Sequence, residues 1–176
     1  GEVRRLSYQA FAHGADTCLF FQMRQYIAGQ EKFHGAIISH SGREDTRVFR
    51  ESMQLGKELE AIGDAFLEGR TPASVGILFD WNSWWALELA SGPSKDMDYL
   101  KTVSLYYEPL FSRNIPVDIL PYNAEIEKYD LIIAPMLYMT KEGVAERLEQ
   151  FVESGKTLVT TVMSGIVDEN DRCVFG

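Results

Sequence analysis

Four short apolar runs in the second part of the chain constrain its fold more than any other feature. They are VGILFD (Val75 to Asp80), VDILP (Val117 to Pro121), LIIAPML (Leu131 to Leu137) and KTLVTTVM (Lys156 to Met163). Each is too short for an ordinary helix and reads as a strand. Between them lie helical spacings. Met97 to Arg113 puts Leu100, Val103, Tyr107 and Leu110 on one side, and a second helix is predicted through Glu153, with Thr140 as N-cap and Gly155 as terminator. Strands alternating with helices at this distance predict an α/β fold with a doubly wound parallel sheet.

The first part reads differently. Arg4 to His13 has helical spacing and Gly14 ends it. TCLFFQ (Thr17 to Gln22) is predicted to be a strand buried on both faces, with Cys18 as a small core residue. A long polar loop runs from Met23 to about Thr46. Arg47 to Leu67 then forms an amphipathic helix with Val48, Phe49, Met53, Leu55, Leu59, Ile62 and Phe66 at steps of three and four. Helix, strand, loop and helix make one β/α unit, which cannot close a core alone. EGRTPAS (Glu68 to Ser74) reads as a linker, which divides the chain into 1–71 and 72–176. The last residues, SGIVDENDRCVFG, stop where a doubly wound fold would continue, so both ends read as cut.

A net charge of −9 argues against nucleic acid and against anionic membrane surfaces as partners. No apolar run approaches the roughly 20 residues needed to span a bilayer, and GEVRRLSYQAF lacks the apolar segment of a secretory signal. Two cysteines, Cys18 and Cys173, supply neither a disulfide framework nor a zinc cluster. A reducing, cytoplasmic setting and no metal are the expectations.

In a doubly wound sheet the binding crevice lies at the carboxyl ends of the strands. Here those ends hold Asp80-Trp81-Asn82, Met136-Leu137-Tyr138 and Met163-Ser164-Gly165. WNSWWALE is bulky where a dinucleotide needs close backbone approach, so no cofactor is expected. An amidotransferase of this architecture needs a cysteine after a strand and a histidine to activate it. The three histidines are His13, His34 and His40, all in the first part, which leaves Ser164 without a base. The cluster Trp81, Trp84 and Trp85 has two readings, packing within the fold or a contact surface, the latter because aromatics dominate interface hot spots.

The loop MRQYIAGQEKFHGAIISHSG is too long for a simple connector. Sugars are held by hydrogen bonds to their hydroxyls and by an aromatic ring against their apolar face. Glu31 can accept from two adjacent hydroxyls, His34 can donate or accept, and Phe21 and Phe33 offer aromatic surface. A polyol site and a plain solvated loop both fit these residues. Cleaving a glycoside with retention requires two carboxyl groups about 5 Å apart. Glu31 stands alone, whereas Glu44 and Asp45 read as the entry to a helix.

QAFAHGADTCLFFQMRQ, GQEKFHGAIISHSG and TRVFRE together resemble the end of the catalytic barrel in family-42 glycoside hydrolases. ILFDWNSWWALE resembles the opening of that family's trimerisation domain, and SGIVDENDRC a later stretch of it. The resemblance implies a retaining β-galactosidase acting on terminal non-reducing β-D-galactosides. It implies the terminal β/α unit of a TIM barrel in 1–71 and a flavodoxin-like trimerisation domain in 72–176. It places the two catalytic glutamates on earlier barrel strands, so no catalytic residue is expected in this chain. It assigns galactose binding to Glu31, His34 and Phe21, and implies a galactoside substrate and a homotrimer. Where the family often has Trp, this chain has Met23. The alternatives are an independent flavodoxin-like interaction module and, less well supported, an amidotransferase-like enzyme.

Overall fold

A computed structural model describes residues 1–65, 67 and 69–174, which form two compact units, Gly1–Thr71 and Pro72–Gly176. The second unit is built on a parallel sheet. Strands β1 (Val75–Phe79), β2 (Val117–Pro121), β3 (Leu131–Ala134) and β4 (Thr157–Thr160) lie in the order β2-β1-β3-β4. Ile77 on β1 is in register with Ile119 and Ile133, and Ile132 with Leu158. This is the start of the flavodoxin-type order, in which the chain reverses direction across the sheet between β1 and β3.

Alternation along the strands sends side chains to two cores. Leu78, Ile132 and Ala134 meet Val144, Leu148 and Phe151 of helix α5 (Val144–Glu153), together with Ile126 and Tyr129. Val75, Ile77 and Ile133 meet Leu87 of α3 (Trp81–Leu89) and Tyr99 and Val103 of α4 (Tyr99–Phe111). Helices therefore cover both faces of the central strands β1 and β3, which is why these two are apolar throughout. At Gly76 a Cβ would lie 2.6 Å from Leu120 Cδ1 and 2.9 Å from Ile132 Cδ1. The missing side chain lets the neighbouring strands' residues close over β1.

Three sequence-based boundaries need correction. The third run stops at Ala134 because Pro135 has no N–H and Met136 turns to φ 44°. The fourth stops at Thr160, short of Met163, which sits at φ 67°. Thr140 does not cap α5. Its N–H bonds to Val167 O at 2.8 Å in an extended segment, and Gly143 at φ 75° precedes the helix instead. The sequence reading also left out α3. Asp80 caps it, accepting from Ser83 N at 3.0 Å.

The first unit has helices α1 (Glu2–Ala12) and α2 (Arg47–Ile62). Gly14, at φ 90°, turns the chain after α1. Arg4 and Tyr8 bond the Glu58 carboxylate at 2.8 and 3.0 Å, tying the two helices, and Gln54 of α2 bonds it at 3.0 Å. Thr46 caps α2 by accepting from Phe49 N at 3.3 Å. The regular helix ends at Ile62 and passes into a 3-10 turn, Gly63–Ala65, before the predicted end at Leu67. Phe66, assigned to its apolar face, and Glu68 of the linker lie outside the described residues.

Thr17 to Gln22 is not a strand. No described strand lies alongside to take its backbone hydrogen bonds, and Leu19 is 91% exposed. Cys18 is only half-buried, at the edge of an open cavity of about 460 Å³ that Leu55 and Leu59 of α2 also line. An apolar run specifies a buried strand only where neighbours exist to bury it.

Candidate functional site

The long loop of the first unit is folded back on itself by backbone hydrogen bonds. Ile37 N donates to Gln22 O at 3.1 Å, Ile38 N to Met23 O at 2.8 Å and Gln25 N to Ile38 O at 2.9 Å. Gln25 locks the crossing by accepting from His40 N at 3.3 Å and donating to Lys32 O at 3.4 Å. His40 Nε2 lies 2.6 Å from Tyr26 O, so that nitrogen is the protonated one and His40 is held to the loop.

A 3-10 turn, Gln30–Phe33, stands at the loop's centre, closed by His34 N donating to Glu31 O at 3.0 Å and by Lys32 Nζ donating to Gly29 O at 3.1 Å. The turn sets Glu31 just ahead of His34, and the His34 ring meets the edge of Phe21 at 6.3 Å with planes 72° apart. The structure thus brings His34 to Phe21. Glu31, on the same turn, has a carboxylate without a hydrogen-bond partner among the described residues. All three side chains are exposed, Phe21 at 74%. The Phe21–Gln22 peptide is cis. Beside it, Gln22 Nε2 is buried with no partner among the described residues, an orphaned donor. Sequence reasoning passed over Gln22, although it stands inside the same motif.

This arrangement can grip hydroxyls and stack on a ring. Of the loop's other carboxylates, that of Asp45 is tied to a neighbouring side chain. Asp45 accepts from Arg43 through both oxygens, and that guanidinium holds its carboxyl below the usual carboxylate range, the reverse of what a general acid needs.

In the second unit the crevice between β1 and β3 holds a buried polar network. Asp80 is 2% exposed. Its Oδ2 accepts from Ser83 N and, at 2.7 Å, from Ser83 Oγ; its Oδ1 accepts from Lys141 Nζ at 2.6 Å. Lys141 Nζ also sits 3.7 Å from the Tyr122 ring centroid. Ser83 Oγ accepts from Met139 N at 3.1 Å, and Tyr99 OH from Asp80 N at 2.9 Å. Burial pushes the Tyr99 hydroxyl up to about 12, with the Asp80 carboxylate adding to the rise. Asp80 thus places its own carboxylate at the helix N-terminus where this architecture would receive a phosphate. A spaced Asp-x-x-Ser after a strand was the signal for it. Ser164, tested as a nucleophile, spends its hydroxyl on backbone ties to Leu137 N at 3.2 Å and Ala134 O at 3.4 Å.

Two family profiles match the chain. The family profile described as Beta-galactosidase trimerisation domain matches residues 73–176, and that described as Beta-galactosidase matches residues 1–62. The β-galactosidase BgaA of Planococcus sp. (strain 'SOS Orange') is 49% identical over 176 residues, all of this chain and 26% of the relative. The solved β-galactosidase of Bacillus circulans sp. alkalophilus superposes with a TM-score of 0.93 at 51% identity, over 98% of this chain and 26% of the other. That of Rahnella sp. R3 gives 0.90 at 44% identity, over 98% and 26%. The chain belongs to the family-42 β-galactosidases. It spans about a quarter of the length of the relatives it matches.

Proposed function

We propose that this chain is the sugar-gripping and subunit-assembling part of a longer β-galactosidase, which hydrolyses terminal non-reducing β-D-galactosides with retention. Residues 1–71 are the C-terminal part of its (β/α)8 barrel, and 72–176 its trimerisation domain in a homotrimer. Phe21 offers its face to the galactose ring, Glu31 accepts from ring hydroxyls, and His34 donates to or accepts from another. The acid and the nucleophile lie elsewhere in the longer protein.

The observation that carries this reading is the turn Gln30–Phe33, which presents an unpartnered Glu31 carboxylate next to His34 at the edge of Phe21. The names of the relatives supply the sugar. The paired state of Asp45 supports a catalytic pair located outside this loop. Both cysteines are free, which supports a reducing, cytoplasmic setting. No described helix is long and apolar enough to cross a membrane.

The test is Glu31→Gln in the longer protein, with nitrophenyl galactoside as substrate. Loss of a charge-assisted hydrogen bond to substrate lowers kcat/KM by about 10- to 100-fold. An unchanged kcat/KM removes Glu31 from the site.

A further inference from the structure

The turn Gln30–Phe33, which carries Glu31 and leads into His34, is not held by burial. None of its residues is buried, and Phe33 is 82% exposed. Its own bonds close within 29–34: His34 N donates to Glu31 O at 3.0 Å and Lys32 Nζ to Gly29 O at 3.1 Å. Among the described residues, one hydrogen bond joins the turn to the rest of the unit. It comes from the Gln25 side chain, whose Nε2 donates to Lys32 O at 3.4 Å. That carbonyl belongs to the residue directly after Glu31, on the way to His34. Gln25 is itself held at two further points. Its N donates to Ile38 O at 2.9 Å, and its Oε1 accepts from His40 N at 3.3 Å. The 37–40 arm is in turn tied to the start of the loop, Ile37 N to Gln22 O at 3.1 Å and Ile38 N to Met23 O at 2.8 Å. Phe21, whose ring meets His34, stands at that start.

We propose that Gln25 is a positioning residue for galactoside binding: its carboxamide fixes the turn so that Glu31 and His34 meet one sugar together with Phe21. This rests on the reading of those three as the galactose-gripping residues. A glutamine suits the task. One arm must donate to a carbonyl while the other accepts from an N–H, and a carboxamide offers both on one planar group. Those two partners also admit only one orientation of the amide. Asn is one methylene shorter, Glu has no donor for Lys32 O, and Leu has neither donor nor acceptor. What Gln25 supplies is preorganisation. An exposed turn with no apolar anchor is free to shift without the brace. The charge-assisted bonds that Glu31 offers to hydroxyls weaken steeply once distance and angle drift. A misplacement of about 1 Å can cost about 100-fold in rate.

The test uses the longer protein, with nitrophenyl galactoside as substrate and galactose as competing ligand. Gln25→Glu keeps the side chain's length and the acceptor for His40 N, and removes the donor to Lys32 O. Gln25→Leu removes both. Circular dichroism checks folding, and Gln25→Glu carries the test where Gln25→Leu does not fold. We expect the inhibition constant of galactose to rise about 10-fold in Gln25→Glu, with kcat/KM falling by about 10- to 100-fold. A merely structural role lowers kcat by lowering the amount of active enzyme and leaves the galactose constant where it was. An unchanged galactose constant in the folded Gln25→Glu variant therefore overturns the inference, whatever happens to kcat. Glu31→Gln, measured alongside, reports on the site itself. If Glu31→Gln weakens galactose binding and Gln25→Glu does not, the inference falls and the site stands. If Glu31→Gln leaves galactose binding unchanged, the site reading falls, and the inference with it.

Discussion

The two units start from similar sequence signals and reach different degrees of closure. Both alternate helices with apolar runs. In the second unit each run finds a neighbour in register, and two cores form on the faces of one sheet. In the first, Thr17 to Gln22 finds none, and Leu55 is the only buried apolar side chain among its described residues. The difference teaches that a strand is a property of a sheet. The same apolar string is core in one setting and exposed surface in the other. It also separates the polar groups: the closed unit holds Asp80, Ser83 and Lys141 in internal ties, while the open one leaves Gln22 Nε2 without a partner among its described residues.

The sharpest way to break this contrast is to hollow out one core. Phe151, 4% exposed between α5 and the sheet, should cost about 3–5 kcal/mol as Phe151→Ala. Hydrogen exchange at β1 and β3 should accelerate accordingly, while the 17–22 amides, which have no backbone partner among the described residues, should exchange fast without any substitution. Slow exchange of the 17–22 amides would show that this run has neighbours that protect it. Next in size is Lys141→Ala, which strands the Asp80 carboxylate at 2% exposure and should cost about 3 kcal/mol in chemical denaturation. A cost below 1 kcal/mol would show water, or Ser83 alone, to be a sufficient partner.

Alkaline pH tests the same network more gently. The folded Tyr99 hydroxyl titrates at about 12 against 10.0 for the free side chain. The folded state therefore binds that proton more tightly, a contribution fully present below pH 10 and lost as pH rises toward 12. Stability of the second unit should fall through that window, and Tyr99→Phe should flatten the fall. An identical profile in the variant would remove Tyr99 as its cause. Smallest is Thr46→Ala at the start of α2, about 1 kcal/mol by thermal melting of the first unit. No change would mean that α2 is held by its ties to α1 instead.

How much of this was legible in sequence follows the same division. The sheet strands were readable because their burial comes from the chain's own helices, and Val117 to Pro121 matches its predicted limits residue for residue. Limits set by a single backbone turn, at Met136 and Met163, were not, because positive φ at a methionine has no sequence signature. Helix α3 was missed because WNSWWALEL has no polar face to reveal a period. The Asp80–Ser83–Lys141 network joins residues far apart in the chain and needed the fold to appear. In the loop, residue chemistry left a polyol site and a plain solvated loop both open, and only the family resemblance picked Phe21, Glu31 and His34. The turn that sets His34 beside Phe21 depends on a clip between 22–25 and 37–40 that no local pattern announces.

We propose that this polypeptide brings the grip on a galactoside but not the groups that cut it. Incubating the 176-residue chain with a nitrophenyl β-galactoside and following nitrophenol release tests it directly. The predicted trace is indistinguishable from buffer at every pH tried, and turnover above that background that disappears in Glu31→Gln would place a cleaving carboxylate inside this chain and contradict the claim.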